Sequence, residues 1–96
     1  RFLVKKITVA PQQRLSLQSH AHRAEHWVVL EGIGTAVIGE NTIAIAENSH
    51  IFIPIGVKHR LTNTDTSTTL VMVEVQVGDQ LKEEDIVRYE DDYLRA

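Results

Sequence analysis

Apolar and polar residues alternate with a period close to two over most of this chain, the spacing of half-buried β-strands rather than of helices. The alternation predicts strands over "FLVKKITV", "RLSLQSH", "EHWVVLE", "TAVI", "TIAIAE", "HIFIPI", "KHRLTN" and "TTLVMVEVQV". Between them stand Pro11-Gln12, Gly32 and Gly34, Gly39-Glu40-Asn41 and the Pro54 to Gly56 pair, residues that favour turns. Many short strands punctuated in this way predict an all-β sandwich or barrel. In "VMVEVQV", Val71, Val73, Val75 and Val77 fall on one face, while Glu74 and Gln76 fall on the other. Only the far end, "EEDIVRYEDDYLRA", leaves room for a helical turn.

Composition narrows the function classes. The 96 residues suit one domain over 1–96. The chain starts without Met on a stretch that is already strand-like, so an upstream segment of a longer chain is expected to be missing. With no cysteine there is no disulfide framework or thiolate site. No run is long enough to span a membrane and no signal peptide is visible, which sets the expectation of a soluble cytoplasmic protein. Net charge is −3, with seven acids against three bases in residues 79–96. No basic stripe argues for nucleic acid, and the acidic end reads as a solvated segment.

Two clusters carry chemistry. The run "LSLQSHAHRAEHW" holds three histidines, a glutamine, an arginine and a glutamate within residues 15–27. The run "PIGVKHRLTN" reads Pro54-x-Gly56-x-x-His59-x-x-x-Asn63, a turn that ends one strand and places His59 near the start of the next. This second run resembles the second motif of the cupin superfamily, G-x5-P-x-G-x2-H-x3-N, with Asn48 where the first Gly belongs. The resemblance implies a double-stranded β-helix, or jelly-roll barrel, and an upstream motif G-x5-H-x-H-x3,4-E-x6-G ending at Glu25 and Gly32. Its near end has two registers, His20 with His22 or Gln18 with His20. The first would join His22 to Glu25 through a two-residue Arg-Ala hairpin, which lacks the Gly, Asn or Asp such turns need. The second leaves the four-residue loop Ala21 to Ala24, which a type I turn accommodates, and sets His20 opposite Glu25 across a hairpin. The predicted ligand set is therefore Gln18, His20, Glu25 and His59. This N/O set suits zinc, cobalt, manganese or iron and lacks the sulfur that selects copper(I).

The longer run "LSLQSHAHRAEHWVVLEG", with "FIPIGVKHRLTN" and "EEDIVRYEDDY", resembles type II phosphomannose isomerases over nearly the whole chain. That family's L-S-L-Q-x-H-x-H-R-x-E-H-W pattern is met from Leu15 to Trp27, and Gln12 departs from it where Gly is usual. The resemblance implies a metal-dependent mannose-6-phosphate isomerase, zinc being the first expectation, working in mannose and GDP-mannose metabolism. Such domains commonly end bifunctional chains that begin with a guanylyltransferase. Zinc-dependent type I isomerases carry a related L-S-I-Q-x-H-P-x-K run whose Gln and His bind the metal, which again points to Gln18 and His20, with Arg23 where the Lys stands.

Other roles follow from position. His22, or a water on the metal, is the candidate proton carrier, and His22 is set against a plain loop residue. Arg23 is the candidate cation for a phosphate or enediolate, set against a solvated loop cation. Trp27 is expected to line the pocket beside Glu25 or simply to fill the core. Lys58 and Arg60 flank His59 and face outward by strict alternation, so Arg60 reaches substrate only if the Pro-Gly turn disturbs the pleat. Arg88 is a candidate phosphate ligand or a tail contact. His26 and His50 read as structural. Exposed sheet edges and the apolar "TTLVMVEV" strand predict a homodimer. The rival to the isomerase is a cupin that only binds a sugar or sugar nucleotide, or another cupin enzyme such as an oxygenase; fold alone does not separate them.

Overall fold

The computed structural model describes residues 1–90. Nine strands run through them: β1 Phe2–Val9, β2 Leu17–Ser19, β3 Arg23–Glu31, β4 Ile33–Ile38, β5 Asn41–Ala46, β6 His50–Ile53, β7 His59–Asn63, β8 Leu70–Gly78 and β9 Val87–Glu90. They form two sheets, β1-β8-β3-β6 and β5-β4-β7-β2-β9, every pairing antiparallel. The all-β reading therefore holds. In the part of "EEDIVRYEDDYLRA" within the described residues there is no helix: it runs from a turn into β9, which pairs with β2. Its last residues, 91–96, lie outside the described ones.

The connection after β2 also differs from expectation. His20 and Glu25 do not oppose each other across a hairpin, because β2 and β3 belong to different sheets. Arg23 and Ala24 are already part of β3. The link is a corner, His20-Ala21-His22, that carries the chain from one sheet to the other. Gly56, at the second motif's turn, donates its backbone N–H to the His20 carbonyl at 2.8 Å. The two clusters are thus tied together by backbone before any side chain is considered.

The strand faces set a polarity gradient inside the barrel. Along β3 the buried side chains are Arg23, Glu25, Trp27 and Val29; along β8 they are Leu70, Met72, Glu74 and Gln76. The β3–β8 register sets Val29 beside Met72, Trp27 beside Glu74 and Glu25 beside Gln76. One end of the interior is consequently a dry apolar core with Leu61, Ile51 and Ile53, and the other is lined with charge. The four valines of β8 point outward from that face.

Two backbone positions carry local strain. Gln12 (φ 59°) and Asn48 (φ 74°) adopt the left-handed conformation, which suits glycine and which a Gln side chain resists more than Asn. These are the two positions where the chain departs from the glycines of the motifs it resembles. Gln12→Gly is expected to stabilise the domain by about 0.5–1 kcal/mol, read as a thermal midpoint a few degrees higher. An unchanged or lowered midpoint would contradict a strained turn.

Candidate metal centre

The charged end of the barrel is built by the corner and three strands. The corner brings His20, β3 brings Arg23, Glu25 and Trp27, and β7 brings His59, with Gln18 beside His59 in the β2–β7 register. His20, Glu25 and His59 are each 3% exposed or less, and their ligand atoms all lie within 4.8 Å of one another.

Each imidazole is aimed by a backbone carbonyl. His20 Nδ1 donates to the Asp85 carbonyl at 2.6 Å, and His59 Nδ1 donates to the Val57 carbonyl at 3.1 Å. A neutral ring held through Nδ1–H keeps its Nε2 lone pair, here turned inward, and this is how a metal-binding histidine is oriented. Gln18 donates Nε2 to Ser16 Oγ at 3.2 Å, which commits its nitrogen and leaves its oxygen end to serve a cation.

The electrostatics call for a cation. His20 Nε2 and Glu25 Oε2 face each other at 3.1 Å, a pair that repels unless a proton between them or another positive charge against them joins the two. Arg23 meets that demand, donating Nε to Glu25 Oε2 at 3.0 Å and Nη2 to His20 Nε2 at 3.2 Å. A divalent ion meets it equally well, since N/O donors about 2.0–2.2 Å from one ion lie about 3–3.5 Å apart. The Nε2 lone pair serves one partner, so an ion bound there displaces Arg23 Nη2. Trp27 Nε1 donates to Glu25 Oε1 at 3.0 Å, and its ring stands edge-on to His59. Burial would raise the Glu25 carboxyl. Hydrogen bonds with His20 and Glu74, the neighbouring His59 and the Trp27 indole outweigh it and hold the group well below the usual carboxylate range. Burial pushes His59 down, toward the neutral form that ligates, and outweighs the opposing pull of Glu25.

Glu74 received no role from sequence. It is 8% exposed and hydrogen-bonded to Glu25. Burial, then the Glu25 hydrogen bond and charge, push its carboxyl up to about 7. Beside it lies a cavity of about 200 Å³ whose lining includes Gln18, Arg23, Glu74, Gln76, Lys5 and Arg88. Arg88 stands opposite Gln18 in the β2–β9 register, and Lys5 is ion-paired with Glu83.

The remaining expectations divide. Arg23 is a buried strand residue rather than a loop cation. Trp27 is both core and site. Arg60 is buried, not outward, because it pins β9: Nε donates to the Leu15 carbonyl at 3.0 Å, Nη1 to Glu90 Oε1 at 2.9 Å and Nη2 to the Glu90 carbonyl at 3.1 Å. That use of all three nitrogens leaves a substrate role without geometric support. His22 is exposed and lines a separate surface depression with Gln80, Lys82 and Glu84, away from Glu25. His26 and His50 stack on each other on the outer face, 5.6 Å between centroids.

Asp85 holds the corner. Its carboxylate accepts the Ala21 and His22 N–H groups at 2.8 and 2.9 Å, while its carbonyl takes His20 Nδ1–H. Asp85→Ala keeps the carbonyl that aims His20 but removes the two hydrogen bonds that hold the corner, and is expected to weaken divalent-metal binding by roughly 10-fold, the low end of what loss of a ligand-orienting partner costs. Titration calorimetry checks it, and unchanged affinity would mean that the corner holds itself.

The fold and the site define a cupin-type barrel. A cupin-2 domain protein from Rhodospirillum rubrum superposes with a TM-score of 0.74 at 21% identity, covering 88% of this chain and 59% of its own. The chain belongs to the family described as mannose-6-phosphate isomerase C-terminal, which matches residues 1–91. The xanthan biosynthesis protein XanB of Xanthomonas campestris pv. campestris is 50% identical over 96 residues, which is 100% of this chain and 20% of that protein. The mannose-1-phosphate guanylyltransferase ManC of Salmonella typhimurium is 45% identical over the same span, again 20% of its length. The chain therefore spans about one fifth of these relatives. Among the described residues no helix is long and apolar enough to cross a membrane.

Proposed function

We propose that this domain interconverts mannose 6-phosphate and fructose 6-phosphate with a divalent metal, zinc first among zinc, cobalt, manganese and iron, in the cytoplasmic supply of GDP-mannose. The observation that carries the reading is the convergence of His20, Glu25 and His59 beside Gln18, next to a cavity lined by both acids and bases. A divalent ion at this N/O set supplies Lewis-acid polarisation of the sugar oxygens at C1 and C2. The chain's own groups do the rest. Glu74, at the cavity wall, takes the proton from C2 and returns it to C1, while the proton on the C2 oxygen passes to the C1 oxygen, so that aldose becomes ketose with nothing gained or lost. This replaces His22, which faces another surface. Arg23 offsets charge that develops on the sugar oxygens, and Lys5 and Arg88 receive the phosphate.

The test is a coupled assay of both directions on purified protein, before and after chelation. Interconversion that is lost with the metal and restored by it supports the reading. Tight sugar-phosphate binding without turnover would instead support a binding module.

A homodimer is part of the same proposal. The outer face of β1-β8-β3-β6 presents rows such as Val4, Val75, His26 and Phe52, with Phe2, Val28, Val77 and Phe52 exposed. Lys6 stands in the next row, beside Val73. Sedimentation at micromolar concentration is expected to give a dimer that Val75→Lys dissociates; a monomeric parent would contradict it.

A further inference from the structure

We propose that Gln76 reads a hydroxyl group of the bound sugar through its side-chain carbonyl oxygen. The inference rests on the sugar-phosphate reading of the cavity above. Gln76 lies on β8 opposite Glu25 in register and is 1% exposed. Its Nε2 donates to Glu74 Oε2 at 3.1 Å, so one end of the amide is fixed. Its Oε1 is buried and has no hydrogen-bond partner among the described residues. Leaving such an acceptor unpaired is costly, and a buried orphan of this kind calls for a partner.

The chemistry of the missing partner follows from the acceptor. A carbonyl oxygen needs a donor, so a phosphate or carboxylate oxygen is the wrong partner and a sugar O–H the right one. The cavity lining holds the complementary parts: Lys5 and Arg88 for an anion, Gln18 on the side of the metal ligands, and Gln76 for a hydroxyl. Among the hydroxyls that the reaction at C1 and C2 does not consume, those on C3 and C4 stay free in both the ring and the open-chain sugar, and the contact is assigned to one of them. Gln76 is thereby a specificity residue for a hydroxylated sugar phosphate, and its Glu74 hydrogen bond fixes the direction in which it reads.

The metal-loaded protein is tested by calorimetry with mannose 6-phosphate and its 3-deoxy and 4-deoxy analogues, alongside turnover of each. The parent is expected to bind one deoxy analogue roughly 10–100-fold more weakly than mannose 6-phosphate, the value of one hydrogen bond that would otherwise be left unmade. Gln76→Leu should erase that ratio while retaining metal content. Equal binding of all three sugars by the parent overturns the proposal without any variant, and so does a Gln76→Leu protein with the parental ratio, in which case the amide is satisfied by water and serves packing alone. A Gln76-dependent ratio with no turnover leaves the subsite standing and removes the isomerase. Turnover with a ratio that ignores Gln76 does the reverse.

Discussion

Glu25→Gln is expected to lose divalent-metal binding by at least ~100-fold, beyond what partners one step removed from a metal contribute. The amide keeps the shape of the side chain but removes the charge that Arg23, His20, His59 and Trp27 all address. Arg23 is then a buried guanidinium without its carboxylate, and breaking a buried pair from one side costs about 3–5 kcal/mol. For a domain whose total stability is about 5–15 kcal/mol, that is a large fraction. Chemical denaturation therefore accompanies the metal titration. A variant that folds as well as the parent and still binds metal would show that Glu25 organises neither the ion nor the barrel end.

Glu74→Gln is expected to do the opposite to stability while removing catalysis. The carboxyl is raised to about 7 against an ordinary value of 4.5. In the metal-free protein the folded state holds this proton more tightly than the unfolded chain. Stability from Glu74 is thus fully present below about pH 4.5 and is lost as pH rises toward 7 and above. Glutamine imitates the protonated acid at every pH. The variant should match the parent near pH 4 and exceed it at pH 8 by up to ~3 kcal/mol, the limit set by the size of the shift. If Glu74 carries the proton, turnover should fall by about 10²–10⁴-fold with metal content unchanged. Parental turnover would assign Glu74 to packing.

The two outcomes separate what the sequence could convey from what it could not. Alternation placed most strands correctly because one face of each is buried and the period is local. That His20, Glu25 and His59 come together was also legible, although not through the expected hairpin. What joins His20 to Glu25 is a corner between sheets, and nothing local in "SHAHRAEH" distinguishes a corner from a hairpin. Glu74 and Gln76 were visible as a polar face in "VMVEVQV", but valines usually mark the inner side of a strand. Here they face outward, because the acid and the amide complete the charged end of the barrel. The one available signal was an acid and an amide two residues apart inside a long strand. Asp85 and Glu90 act on His20 and Arg60 across large sequence separations, which no local pattern reveals. Gln12 and Asn48 were legible from motif mismatch alone, and both adopt the conformation that the mismatch implies.

Bound metal per chain, measured by elemental analysis after dialysis of the parent, Gln18→Ala and His22→Ala, tests the central claim most directly. The account predicts one divalent ion per chain in the parent, retention in His22→Ala because that ring faces another surface, and clear loss in Gln18→Ala. A metal-free parent that isomerises the sugar, or loss in His22→Ala with retention in Gln18→Ala, would contradict it.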